Sequence, residues 1–127
     1  MADQDSHSPV ERFIIEQIDT VPHLEALLLI WNGRPRKWSA GEMAAALYVE
    51  PDVAERVLRQ LVERDLILQA SDESGQYYCE ANSDRDALLQ KVNETYRRQL
   101  VRISRLIHSK ASVAVHDFAR AFRFKKD

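Results

Sequence analysis

The stretch from Trp38 to Tyr78 constrains the fold of this 127-residue chain more than any other part of the sequence. It opens with Ser39-Ala40-Gly41-Glu42, which has the pattern of a capping box at the start of a short helix. Tyr48-Val49-Glu50 predicts a tight turn, and Pro51 suits the first turn of a second, longer helix. These signals predict two closely linked helices.

The second of these helices is amphipathic. Its apolar residues recur at helical spacing and are predicted to face the core: Val53, Val57, Leu58 and Leu61. Polar residues cover its outer face: Asp52, Glu55, Arg56, Arg59, Gln60 and Glu63. After it, Leu66 to Ala70 suits a strand, Asp72 to Gly75 a turn and Gln76 to Cys79 a return strand. A hairpin alone is marginally stable, so this one is predicted to pack on the helices.

Two further helices are predicted before this stretch, after a polar segment, residues 1–7, that we expect to be disordered. Ser8-Pro9-Val10-Glu11 combines a capping box with a proline at the first helical position, and this helix runs to about Ile18. Thr20-Val21-Pro22 starts the next helix, whose apolar residues cover two faces and indicate a central position. Asn32-Gly33 ends it, because glycine tolerates the left-handed backbone that closes many helices.

After the hairpin, Ser83-Asp84-Arg85-Asp86 predicts the cap of a long helix that runs to about Lys110 and spans roughly 40 Å. Apolar residues follow one another along it at spacings of three and four, as in a short coiled-coil seam that Gln99 interrupts. The candidate dimer-interface residues on this seam are Leu89, Val92, Tyr96, Ile103 and Leu106. A second copy of the chain is the partner that the seam favours. The alternative is a helix that folds back on its own core.

The last residues, from Val113 to Asp127, form a short basic amphipathic segment in which Phe118 and Phe122 share a face. Such a segment can lie on an anionic membrane surface. Phenylalanines that pack back on their own domain are commoner, so we do not expect a membrane partner.

The predicted elements divide the chain into residues 8–82, a compact domain, and residues 83–127, a long helix with this segment.

The net charge of −2 is distributed unevenly along the chain. Residues 1–80 carry seven Lys/Arg and fifteen Asp/Glu, whereas residues 81–127 carry eleven and five. The acidic first part and the basic second part can attract each other within one chain or between two chains. The sequence has no apolar run of the length that spans a bilayer, no apolar signal-peptide core and a single cysteine, Cys79, so we expect a cytoplasmic protein.

No group of residues predicts catalysis. The histidines (His7, His23, His108 and His116) share no metal-ligand spacing with Cys79 or with a pair of carboxylates. Cys79 follows two tyrosines in a predicted strand, which favours a packed thiol over a nucleophile. The three glycines form no phosphate-binding loop. We therefore expect no enzyme activity, no metal and no cofactor.

The residues from His23 to Glu80 resemble the winged helix-turn-helix domains of bacterial MarR-like transcriptional regulators. Two runs carry this resemblance: Ser39 to Ala44 before the turn, and Val57 to Ile67, which is similar to the family's passage from recognition helix into wing. The resemblance implies a mainly α fold with a small β-hairpin wing. It also implies a recognition helix at about Pro51–Arg64 in a DNA major groove and a wing near Ser71–Gln76 beside the DNA backbone.

On this resemblance, six residues become candidate DNA contacts: Arg34, Arg36, Lys37, Arg56, Arg59 and Gln60. The sequence departs from the family's pattern in its acidic residues, since the outer helix face also carries Asp52, Glu55 and Glu63 and the wing tip reads Asp72-Glu73. Two functions remain open: a dimeric DNA-binding transcriptional regulator, or a winged helix that binds a protein partner and no DNA.

Overall fold

A computed structural model of the chain describes residues 8–72 and 74–109, which form six helices and one hairpin. In chain order the elements are α1 (Pro9–Gln17), α2 (Val21–Asn32), α3 (Ala40–Leu47), α4 (Pro51–Glu63), β1 (Leu68–Gln69), β2 (Tyr77–Tyr78), α5 (Ser83–Arg98) and α6, helical at 100–109. The predicted mainly α fold with a hairpin wing is confirmed. Residues 1–7 and the basic segment Val113–Asp127 lie outside the described residues.

Both predicted capping boxes are present. At the start of α1, the backbone N–H of Glu11 donates to Ser8 Oγ at 3.2 Å, and the backbone N–H of Ser8 donates to Glu11 Oε1 at 3.0 Å. The same reciprocal bonds join Ser39 and Glu42 at the start of α3, at 3.1 and 2.9 Å. Each box satisfies two backbone donors that the first helical turn leaves without partners.

The predicted end of α2 is confirmed, but its cause differs from the expected one. The capping residue Gly33 has φ −89° and is not left-handed. A Cβ at this position would lie 3.1 Å from the carbonyl oxygen of Leu29, a tight contact that disfavours a side chain there. The left-handed conformation occurs instead at Tyr48, which closes α3 with φ 58°.

Helix α2 lies at the centre of the core, as its two apolar faces predicted. It packs against α3, α4, α5 and β2, and Leu24, Leu27 and Ile30 are fully buried. From α4, Leu58 and Leu61 complete the same cluster. Removing each such side chain from water contributes about 1.5–3 kcal/mol, and α4 is thereby held with its polar side outward.

The hairpin is shorter than predicted, with two residues in each strand and the antiparallel pairs Leu68–Tyr78 and Gln69–Tyr77. A third segment supports it, because the backbone groups of Trp38 and Tyr77 exchange two hydrogen bonds of 2.8 Å. Leu66 and Ile67, predicted as strand residues, are buried just before β1 and attach the hairpin to the core.

The long C-terminal helix is a correction to the prediction. Asn82, not Ser83, caps α5, and its side chain accepts from the backbone N–H of Arg85 at 3.0 Å. The helix ends at Arg98, because Gln99 leaves the helical region with φ −129° and ψ 47°. The change of direction lets Ile103 and Ile107 of α6 pack in the core instead of extending past it.

Candidate nucleic-acid interface

Helices α3 and α4 and the turn between them form a helix-turn-helix unit. Tyr48 closes α3, and the backbone N–H of Val49 donates to the carbonyl oxygen of Ala44 at 3.1 Å. Pro51 then begins α4 after Glu50, whose side chain makes no capping bond. The two helices pack closely on each other, so the outer face of α4 has a fixed orientation.

The outer face of α4 is an open groove of about 380 Å³. Its lining comprises Asp52, Glu55, Arg56, Arg59, Gln60 and Glu63, the same six residues that the sequence placed outside. Three carboxylates and two guanidinium groups give this face a formal charge of −1. A DNA duplex carries about one negative charge per 1.7 Å, so the face as a whole does not attract it.

The two arginines of this face differ in their surroundings. Arg59 Nη2 lies 2.5 Å from Glu55 Oε1, so the pair predicted from the i,i+4 spacing is present. Arg56 is exposed and makes no hydrogen bond or ion pair with the described residues. Arg56 is therefore the α4 cation that can meet a ligand without first breaking an internal contact.

Gln60 is held from inside the protein, which its sequence position did not indicate. Its Oε1 lies 2.6 Å from Nε2 of His23, and Nδ1 of His23 lies 2.6 Å from Oγ1 of Thr20. His23 is 5% exposed and thus connects the start of α2 to the outer face of α4 through the core. The sequence shows Thr20 as a helix cap but gives no sign of a contact between residues 37 positions apart.

The basic link between α2 and α3 is largely engaged in contacts within the chain. Arg34 donates to Asp86 Oδ2 at 2.9 Å and to the carbonyl oxygen of Trp31 at 2.7 Å. Its main contribution is therefore to the stability of the fold. The guanidinium of Arg36 lies 3.7 Å from the ring centroid of Trp38, and Lys37 Nζ lies 5.6 Å from that of Tyr78. Arg36 and Lys37 remain exposed to solvent while they contact these aromatic rings.

The wing lies beside α4 and has an acidic turn. Burial raises the pKa of Tyr77 in β2, and the carboxylate of Glu55 raises it further, so the hairpin lies within electrostatic range of the α4 face. At the turn, hydrogen bonds from the side chain and backbone of Ser74 lower the pKa of Asp72, and the charge of Lys37 lowers it as well. The described part of the wing turn therefore carries a carboxylate, Asp72, whose ionised form is stabilised by hydrogen bonds.

The side chains predicted to contact a second copy pack within their own chain. Leu89, Val92, Tyr96 and Ile103 are buried in the core, and Leu106 is partly buried against it. Their environment matches the alternative interpretation, in which the helix packs on the core of its own chain. The break at Gln99 instead exposes Leu100 and Val101, at 51% and 62%.

Three other features bear on function: metal ligands, the thiol of Cys79 and membrane-spanning helices. Within residues 8–72 and 74–109, no group of three His, Cys, Asp or Glu side chains is placed to hold a metal ion. Burial raises the pKa of Cys79 to about 11, which disfavours its thiolate. No helix in this part of the chain combines the length and apolar character needed to cross a membrane.

The folded chain is similar to the structure of a MarR family protein from Bacillus stearothermophilus. The two share 14% sequence identity, with a TM-score of 0.52, over 92% of this chain and 81% of the other. At this identity the similarity shows a common winged-helix fold, which agrees with the fold predicted from the sequence. No model of a known protein family matches the chain, and no curated protein matches it.

Proposed function

We propose that this chain is a transcriptional regulator, not an enzyme, and that it binds DNA as a dimer in the cytoplasm. The observation that carries the proposal is the orientation of α4. The helix presents an outer face that no described part of the chain covers, with unpaired Arg56 on it and a hairpin wing beside it. A helix that follows a tight turn and leaves its outer face uncovered is suited to enter a major groove.

Affinity in this proposal comes mainly from contacts to phosphates, since the net charge of the α4 face is unfavourable. The exposed cations that this proposal assigns to phosphate contacts are Arg36, Lys37 and Arg56. Arg34, which is held in an ion pair with Asp86, supports them. Three cations per protomer give six phosphate contacts in a dimer. We therefore expect log Kobs to fall with log salt concentration at a slope of about −5.

The dimer surface in this proposal is the break between α5 and α6. Leu100 and Val101 are two of four large apolar side chains that are exposed within the described residues, and they are adjacent. Burying them against a second copy removes apolar surface from water, while the core residues of the same helices remain in place. Exposed Arg98 and Arg105 border the pair.

Binding to duplex fragments from the gene's own genomic neighbourhood tests the proposal directly. Fluorescence anisotropy between 50 and 300 mM salt gives both affinity and slope. We expect at least one fragment to bind more tightly than a scrambled duplex, and Arg56→Ala to weaken binding while the melting temperature stays unchanged. Absence of binding at 50 mM salt would refute DNA recognition.

A second function is favoured by one observation, the formal charge of −1 on the α4 face together with the acidic wing turn. On this interpretation the winged helix binds a basic protein surface and no DNA. The same experiment separates the two, because a protein-binding module shows no duplex affinity at any salt concentration. A stoichiometric partner that Glu55→Lys releases and that binds without nucleic acid would then support this alternative.

A further inference from the structure

His23 connects two parts of the molecule that the sequence does not relate. Its ring is buried, and both of its nitrogens have partners: Nδ1 meets Oγ1 of Thr20 and Nε2 meets Oε1 of Gln60, each at 2.6 Å. A buried polar ring needs such partners, since leaving one nitrogen without a hydrogen bond is unfavourable. The interaction therefore fixes the Gln60 side chain as well as the imidazole.

The chemistry of these groups gives each hydrogen bond a direction. An amide oxygen only accepts, so Nε2 of His23 carries the proton that is donated to Gln60 Oε1. In the neutral ring, Nδ1 then accepts a hydrogen bond from the hydroxyl of Thr20. The oxygen of Thr20 in turn accepts from the backbone N–H of His23 at 3.4 Å. Every donor in this chain of bonds has an acceptor.

It follows that the two ends of the Gln60 amide face different surroundings. Its oxygen points to the buried imidazole, and its NH₂ group is the end left for the α4 groove that Gln60 helps to line. Among the described residues, this NH₂ group donates to no acceptor. Arg56, another pure donor, lies one helical turn earlier on the same groove.

We propose that Gln60 is a specificity-determining residue that offers only N–H donors to a base edge, and that His23 is the residue that positions it. A free glutamine reads adenine with its oxygen and nitrogen together, whereas guanine presents two acceptors, N7 and O6, in the major groove. Gln60 held by His23 therefore favours guanine. This inference rests on the proposed DNA binding and assigns one element of the sequence that is read.

Two measurements test the assignment. The first uses the free protein at pH 8, where ¹⁵N NMR of the imidazole identifies which ring nitrogen carries the proton. The second selects bound duplexes from a randomised pool with wild type, His23→Ala, Gln60→Glu and, as a control exposed on α5 outside the α4 groove, Glu94→Gln. Selection reports base preference at each position, which a purely structural contribution of His23 does not change.

We expect an Nε2–H tautomer and a preference of about fivefold for guanine over adenine at one position. In Gln60→Glu an oxygen can still accept from His23 while the outward oxygen accepts from a base, so the preference moves to cytosine, whose N4 amino group donates. His23→Ala frees the amide to rotate, and the discrimination falls below twofold. Glu94→Gln keeps the wild-type preference.

Two results would overturn the assignment while leaving DNA binding intact: an Nδ1–H tautomer, which turns the amide oxygen outward, or a base preference that Gln60→Glu does not alter. If no duplex binds to wild type, the proposed function fails and the assignment fails with it. The tautomer is measured without DNA, so that case is distinguishable from an error in the direction of the hydrogen bonds.

Discussion

Replacing Glu55 by glutamine should strengthen DNA binding, because this carboxylate both repels phosphates and holds Arg59 at 2.5 Å. A unit charge about 8 Å from a phosphate in water contributes about 0.5 kcal/mol of repulsion, which salt screening lowers to about 0.2 kcal/mol. Releasing Arg59 from an exposed i,i+4 pair recovers about 0.3–0.5 kcal/mol. The gain is about 0.5–0.7 kcal/mol per protomer, which corresponds to five- to tenfold in affinity for a dimer.

The salt dependence gives an independent measure of the same change. If Arg59 becomes a phosphate contact, the slope of log Kobs against log salt concentration becomes steeper by about 0.9 per protomer. Anisotropy titrations of Glu55→Gln and wild type on one duplex provide both quantities.

Glu94→Gln is the matched control, since it removes the same charge from an exposed position on α5, away from the α4 groove. The reasoning is refuted if the two substitutions raise affinity equally, or if Glu55→Gln binds no more tightly than wild type. The stability of Glu55→Gln should fall by only about 0.3–0.5 kcal/mol, which urea unfolding can check.

Four further outcomes are expected. Leu100→Glu should raise the dimer dissociation constant in sedimentation without lowering the stability of the monomer, whereas Ile103→Ala should destabilise the chain by about 2–5 kcal/mol at every protein concentration. Tyr48→Asn should raise stability by about 0.5–1 kcal/mol in urea unfolding, because asparagine tolerates the left-handed backbone and the tyrosine side chain is 95% exposed. Hydrogen bonds from Trp31 and then Arg34 lower the pKa of Asp86 below its ordinary value of 3.8. The ionised carboxylate therefore adds to the free energy of unfolding above pH 4, and this contribution should be lost as the pH falls through the folded-state pKa. Asp86→Asn should show no such pH-dependent contribution. The Cys79 thiol, with its pKa raised to about 11, should react with a disulfide reagent at pH 8 only after unfolding.

The parts of the fold that the sequence predicted correctly are those decided by neighbouring residues. The capping boxes at Ser8 and Ser39 join positions three apart, and the outer face of α4 follows from helical periodicity. At Gln99 the sequence shows only an interruption of the apolar stripe. The spacing continues across it with no proline or glycine, so the end of α5 depends on how Ile103 reaches the core.

The candidate site was predicted in composition and not in the state of its side chains. The sequence places Arg34 just before α3 and Gln60 on the outer face of α4, but their partners lie 52 and 37 residues away. Such contacts exist only after α2 packs between α4 and α5. The same applies to Leu89, because a stripe at spacings of three and four looks alike whether a second copy or the chain itself covers it.

The contacts of α4 with the α1–α2 junction also have a mechanical consequence. Beyond the Gln60–His23 bond, Arg64 just after α4 donates to the carboxylate of Asp19 at 3.0 Å and to the carbonyl oxygen of Glu16 at 3.0 Å. The C-terminal half of α4 is thus joined to residues 16–23 at two points one turn apart. These contacts favour movement of α4 together with the α1–α2 junction, so in the proposed dimer we expect the distance between the two α4 helices to change mainly by rotation of whole protomers.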